Sequence, residues 1–327
     1  MDAVMDTTRL SDSSPQEVVG RFAPTPSGRM HLGNAFSALM AWASSRSVGG
    51  RMVLRIEDLD PRAQDARRSE LLMDDLRWLG LDWDEGPFYQ SRRGEAYLAA
   101  LEELRERGLT YPCFCSRSEL HAATAPHASD GTYVYSGRCR DLSPEEVALR
   151  SRERPAATRL RVPQTGEAEA TIAFDDLGFG HREECLRSEC GDFLVRRSDG
   201  VVAYQLAVVV DDASMRVNQV VRGRDLLGSV ARQTYLAHML GHAAPTFGHV
   251  PLVVAPSGRR LSKRDRDLDL GALRTAGVRP QKIIGMLCHG MGLAGEGEEV
   301  DANELVRRFD WEAVRRHRED LVVSFLD

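Results

Sequence analysis

Apolar residues along this chain follow two different periods, and the places where one gives way to the other mark most of its elements. The run from Val18 to Ala23 predicts a buried strand, and Leu32, Phe36, Leu39, Met40 and Ala43 recur at helical spacing and predict a helix over His31 to Arg46. "RMVLRIEDLD" (51–60) reads as a second strand ending in acids. "ARRSELLMDDLRWLGL" (66–81) reads as an amphipathic helix closed by Gly80. Strands and helices alternating in this way build parallel sheets, whose ligands sit outside the carboxyl ends of the strands.

From about Tyr111 to Asp141 the pattern becomes short, rich in small residues and cysteine-bearing, as in an insertion with its own staple. Residues 155–200 alternate like short strands, in "TIAF", "DFLVRR" and "GVVAY". A helix is expected at "AYQLAVVVDDA", a strand at "QVVRGRD", a helix over 226–240 and a strand at "HVPLVV" (249–254). After Leu270 the pattern is helical throughout, over 279–289, 301–308 and 311–325. There is no internal repeat and no low-complexity tract.

At 327 residues, 42% apolar and 28% charged, the chain has room for about two domains. No stretch approaches the roughly 18 consecutive apolar residues of a membrane span. The polar, acidic start from Met1 to Pro15 lacks the order of a secretory leader, so a cytoplasmic protein without a membrane partner is expected. A net charge of −6 argues against a protein that coats nucleic acid, because phosphate binding is dominated by neutralising cations. Local basic clusters remain at Arg92 and Arg93, Arg150 to Arg154, Arg259 to Arg266 and Arg307 to Arg318, each of which on its own reads first as a solvated face.

The turn between the first strand and helix, within "RFAPTPSGRMHLGN", offers free backbone N–H groups at a positive helix end, which suits an anion. Neither G-x-G-x-x-G nor G-x-x-x-x-G-K-[ST] is present. Instead Pro24, Pro26 and Gly28 fix the path, and His31 and Gly33 are expected in the first helical turn, where an imidazole can meet a phosphate and a missing side chain lets one approach. A surface histidine beside a tight turn would look the same. A second anion-binding candidate is "SGRRLSKRDRD" (257–267), a basic loop after a predicted strand, although a solvated loop has the same composition. Only two lysines, Lys263 and Lys282, stand among the 43 Lys and Arg residues, so Lys263 hints at a place for a compact ammonium rather than a planar fork.

Together the two stretches resemble the paired signatures of class I aminoacyl-tRNA synthetases. "RFAPTPSGRMHLGN" is similar to the glutamyl-tRNA synthetase form of the HIGH motif and "RLSKR" to its KMSKS loop, while "LRIEDLDP", "AYQLAVVVDDA" and "VVRGRDLL" lie between them in the order of that branch. Asn34 replaces the last His of HIGH, and Arg260 and Arg264 replace the first Lys and last Ser of KMSKS. The resemblance implies an α/β fold, a Rossmann-like nucleotide-binding domain with a parallel sheet. It implies catalytic roles for His31 and Lys263, and binding of ATP with Mg²⁺ by His31, Gly33, Asn34, Ser262 and Lys263. It also implies a glutamate pocket of Arg21, Phe22, Ala23, Pro24, Thr25, Glu57, Tyr204 and Arg222, with Arg21 on a carboxylate and Glu57 on the α-ammonium. The alternative for Glu57 and Arg222 is a structural ion pair near strand ends, but their place at the carboxyl ends of predicted strands favours the site.

Six cysteines in a cytosolic chain should be reduced, so their clustering points to metal. Cys113 and Cys115 would face one side of an extended segment, Cys139 adds a third thiol, and structural zinc takes four ligands. His121 and His127 have suitable chemistry for the fourth. The resemblance points instead to Tyr135, four residues before Cys139, with His127 second. One structural Zn²⁺ per chain is expected. Cys185 and Cys190 read as ordinary thiols and Cys288 as helix core.

The expected division is a disordered tail (1–17), the first half of the catalytic domain (18–110), a zinc-bearing insertion (111–190), the second half with the KMSKS-like loop (191–268), and a helical part (269–327), with no anticodon-binding domain expected. That arrangement resembles the truncated paralogues of glutamyl-tRNA synthetase that activate L-glutamate with ATP and esterify it to the queuosine base at the wobble position of tRNA(Asp). A monomer is expected. The alternatives are a glutamyl-tRNA synthetase charging the terminal ribose and a non-catalytic tRNA-binding paralogue.

Overall fold

The computed structural model describes residues 17–116, 119, 134–167, 169–258 and 269–323. At its centre β1 (Val19–Phe22), β2 (Arg51–Ile56) and β3 (Glu85–Tyr89) form a parallel sheet in that order, with Val19 opposite Arg51 and Phe22 opposite Leu54. β1 and β2 are buried along almost their whole length, as expected of parallel strands covered on both faces. Five further strands lie to one side. β4 (Thr110–Cys113), β5 (Ala157–Leu160) and β8 (Phe193–Arg196) make an antiparallel sheet, and β6 (Thr171–Asp176) and β7 (Gly180–Cys185) a hairpin.

β9 (Gln219–Gly223) returns to the free edge of β1. There the Asn218 side chain accepts from Val19 N–H at 2.8 Å, and Asn218 N–H donates to the Val19 carbonyl at 3.1 Å. β10 (Thr246–Val250) pairs parallel outside β9. The chain therefore leaves β1 toward β2 on one side and comes back as β9 on the other. Such a reversal opens a crevice beyond the carboxyl ends of the two strands.

Helix α1 (Leu32–Arg46) packs on β1 and β9 through Leu32, Phe36, Leu39 and Met40. α2 (Ala66–Trp78) is capped by the Asp65 side chain and buries Leu72, Met73 and Leu76 in the same core. α3 (Gly94–Glu106), α5 (Tyr204–Ser214) and α6 (Val230–Met239) share a second core with β5 and β8, while α4 (Pro144–Glu153) opens with a capping box between Ser143 and Glu146. α7 (Leu270–Thr275), α8 (Pro280–Gly290), α9 (Ala302–Arg308) and α10 (Trp311–Arg316) close the far side. Among the described residues no helix is long and apolar enough to cross a membrane.

Three expected elements differ. "GVVAY" contributes only a bridge between Val202 and Arg196, because Tyr204 already begins α5. "HVPLVV" is split: β10 ends at Val250, Pro251 and Leu252 intervene, and β11 (Val253–Val254) starts anew, since proline has no N–H for a ladder. The helix expected over 311–325 stops at Arg316. β12 (Leu321–Val322) then pairs in parallel with β11, so the end of the described chain is not wholly helical.

Candidate active site

The crevice between β1 and β9 is a cleft of about 570 Å³. Arg21, Phe22, Ala23, Pro24 and Thr25 enter it from β1 and the turn beyond, Glu57 from the end of β2, Tyr204 from the start of α5, and Arg222 from β9. His31, Gly33 and Asn34 line its other end. The turn between β1 and α1 can be this tight because Gly28 sits at φ 119, a conformation L side chains rarely adopt.

His31 is the N-cap of α1, which corrects its expected place inside the first helical turn. Its Nδ1 accepts from Gly33 N–H at 3.1 Å and Asn34 N–H at 3.3 Å, so the neutral ring carries its proton on Nε2. A Cβ on Gly33 would stand 3.1 Å from that ring. Behind the turn, Met30 N–H donates to Asp75 at 2.8 Å and Arg29 is held by Asp74 at 2.8 Å and Asp75 at 2.5 Å.

Ser262 and Lys263, with Arg260, Arg264, His121 and His127, lie outside the described residues. The flanks of the basic loop are placed, however. β11 borders the cleft on one side, and on the other Asp269 forms a bridge to His31 while Leu270 N–H donates to the Met30 carbonyl at 2.8 Å.

Arg21 is buried and its Nη1 donates to the Val221 carbonyl at 2.9 Å, while its Nε has no partner among the described residues. Burial lowers its pKa; Asp212 opposes the shift and Arg55 and Arg222 reinforce it. Burial raises the Glu57 pKa, against Arg55 and Arg21. Glu57 and Arg222 do not pair with each other. Glu57 meets Arg55 at 3.3 Å, whereas Arg222 donates to His249 at 3.0 Å, Gln233 at 2.9 Å and the Leu226 carbonyl at 3.1 Å.

Two buried groups beneath the cleft were not singled out from the sequence. Arg55, whose side chain is fully buried, meets Asp212 at 2.5 Å, and Asp211 accepts from Gln90, Arg93 and Tyr97 at 2.6–3.0 Å. On β10, His249 lies between Asp176 and Arg222. Each has a readable signal: an arginine within "RMVLRI", two acids closing "AVVVDDA", and a histidine in "TFGHV" are charged or polar residues set in apolar runs.

Away from the cleft, Cys113, Cys115 and Cys139 bring their sulfurs within 4.8 Å of one another. The Cys115 and Cys139 sulfurs are 3.7 Å apart, and the Tyr135 hydroxyl lies 3.5 Å from Cys113 and 3.6 Å from Cys115. An edge of about 3.8 Å joins two thiolates on a tetrahedral zinc with Zn–S of about 2.3 Å, so these atoms fit the corners of such a site. Arg159 donates to the Cys113 sulfur at 3.3 Å and lies over the Tyr135 ring.

A parallel sheet that reverses at β1, a histidine-capped helix over the crevice, and the flanks of a basic loop beside it define a class I tRNA synthetase. The family model for tRNA synthetases class I (E and Q), catalytic domain, matches residues 17–326, and the chain belongs to this family. Within it, a relative from Symbiobacterium thermophilum named Glutamyl-Q tRNA(Asp) synthetase is 47% identical over 309 residues, covering 91% of this chain and 94% of its own. One of the same name from Nitratidesulfovibrio vulgaris is 48% identical over 278 residues, or 82% of this chain and 84% of its own. The structure is also similar to a crystal structure of a glutamate tRNA ligase from Elizabethkingia meningosepticum in complex with its amino acid, with a TM-score of 0.77 and 27% identity over 94% of this chain and 67% of that one.

Proposed function

We propose that this chain activates L-glutamate with ATP and transfers the glutamyl group to the queuosine base at the wobble position of tRNA(Asp). The observation that carries the amino-acid half is the charge pattern of the cleft. Arg21 and Arg222 are buried guanidinium groups whose hydrogen bonds go to neutral acceptors, and Glu57 shares the cleft with them. Two cations and one carboxylate complement two carboxylates and one ammonium, which is the charge pattern of glutamate. The names of the relatives at 47% and 48% identity support the acceptor.

In the first step an α-carboxylate oxygen attacks the α-phosphorus of ATP, and the bond to pyrophosphate breaks, leaving glutamyl-adenylate. Arg21, Arg222 and Glu57 hold the amino acid. His31 donates a hydrogen bond from Nε2 and the ammonium of Lys263 supplies positive charge to the phosphoryl oxygens, so catalysis is positioning and charge stabilisation. Mg²⁺ bound with ATP neutralises phosphate charge. In the second step a hydroxyl of the queuosine cyclopentenediol attacks the acyl carbon, gives up its proton, and AMP leaves. Cys113, Cys115, Tyr135 and Cys139 would hold one structural Zn²⁺, which would fix the insertion rather than take part in the reaction.

Glutamate-dependent ATP–pyrophosphate exchange without tRNA tests activation. Locating labelled glutamate on nuclease fragments of queuosine-containing tRNA(Asp) tests transfer. Label on the anticodon fragment is expected, and label on the 3′-terminal fragment would make the chain a charging enzyme.

A further inference from the structure

We propose that Asp176 and His249 are positioning residues that fix the Arg222 guanidinium for a substrate carboxylate; this rests on the glutamate reading of the cleft. Arg222 reaches the cleft from the carboxyl end of β9 and is 5% exposed. Its Nε–H donates to His249 Nε2 at 3.0 Å, Nη1 to Gln233 at 2.9 Å, and Nη2 to the Leu226 carbonyl at 3.1 Å. Among the described contacts this leaves one N–H on each terminal nitrogen, which a carboxylate can take as a charge-assisted acceptor.

The imidazole can accept from Arg222 only if its own proton is on Nδ1. Asp176 puts it there. Asp176 Oδ2 lies 2.5 Å from His249 Nδ1, with both side chains fully buried. Its other oxygen, Oδ1, accepts from the backbone N–H groups of Gly178 at 2.9 Å, Phe179 at 2.9 Å and His249 at 3.1 Å. Three backbone donors pin Oδ1, so Oδ2 is the atom left to face the ring. The Gln233 amide is oriented in turn, because its Nε2 donates to Gln205 at 2.8 Å. Among the described contacts Arg222 is thus held by three neutral acceptors and the Phe247 ring, 5.3 Å away, none of which carries a countercharge.

Substituting Asp176→Asn separates positioning from packing. The amide oxygen would stay with the three backbone donors, and the NH₂ would point at Nδ1. The ring proton would then move to Nε2, setting a donor against the Arg222 Nε–H. In ATP–pyrophosphate exchange, Asp176→Asn and His249→Leu should raise KM for glutamate about ten-fold or more, the scale of one hydrogen bond to a charged group. KM for ATP should move less than about two-fold on the same scale. His249→Gln, which keeps an acceptor near Nε2, should recover most of the loss. Equal changes in both KM values, or none, would overturn the proposal, as would His249→Gln behaving like His249→Leu. If the variants do not fold, ¹⁵N shifts of the His249 ring in the unsubstituted protein decide: a protonated Nδ1 with an accepting Nε2 supports the assignment, and a protonated Nε2 overturns it. Absence of glutamate-dependent exchange in the unsubstituted protein would instead remove the substrate reading, and this proposal with it.

Discussion

Arg55 of β2 and Asp212 of α5 form an ion pair 2.5 Å long in the core beneath the cleft. Removing Asp212 takes the nearest of three carboxylates from a buried guanidinium and leaves it Glu57 at 3.3 Å and Asp211 at 3.7 Å, so the cost falls short of the roughly 3–5 kcal/mol of a wholly unpaired buried charge. Asp212→Asn is expected to lose about 2 kcal/mol of stability in urea unfolding. A loss below about 1 kcal/mol, the size found for exposed pairs, would show that the site is solvated.

The His249 ring makes stability depend on acidity. Burial lowers its pKa from 6.5 to about 4, the Asp176 hydrogen bond notwithstanding. The unfolded chain therefore binds a proton that the folded chain refuses, and stability present above pH 6.5 is lost as the pH falls toward about 4. His249→Gln should flatten the stability profile in that window, and an unchanged slope would exclude the imidazole as its source.

Metal content can be read directly. About one zinc per chain is expected by elemental analysis of metal-replete protein, because so small a thiol cluster gains much of its fixation from a metal. Cys115→Ser and Tyr135→Phe should both lower zinc retention, and His127→Ala should leave it intact. The reverse pattern for Tyr135 and His127 would reassign the fourth ligand.

Amino-acid choice should depend on Arg21. Glutamine would leave that buried donor facing a neutral amide, and a hydrogen bond to a charged group is worth roughly 1.5–3 kcal/mol. Glutamate should be preferred about ten- to hundred-fold in exchange assays. Arg21→Gln should erase most of the preference, with circular dichroism confirming the fold. Equal use of both amino acids by the unsubstituted protein would remove Arg21 from the specificity.

What could be read in the sequence was local. The strand at Val19–Phe22 and the helix from Leu32 follow from periodicity, and the residues around Arg21 that line the cleft follow from the resemblance carried by the ordered motifs, because neighbours in the chain are neighbours in the cleft. Long-range partners were not readable. Arg55 meets Asp212, and Asp176 meets His249, across more than 70 residues, and a single sequence gives no register between such segments. His31 shows a subtler limit. Its position at the helix start was evident, but its service as a cap depends on a ring rotamer that spacing does not encode.

The pairing of β12 with β11 also bears on the order in which the protein can be finished. Asp320 accepts from Leu252 N–H at 3.0 Å and from Arg224 at 2.7 Å, and Leu321 N–H donates to the Leu252 carbonyl at 2.8 Å. Leu252 is itself part of the cleft wall. During vectorial synthesis β1 and α1 emerge early, yet the backbone that backs their binding crevice is supplied some 300 residues later. A nascent chain stalled before Asp320 would hold both arginines of the pocket and still lack the strand that braces its opposite wall.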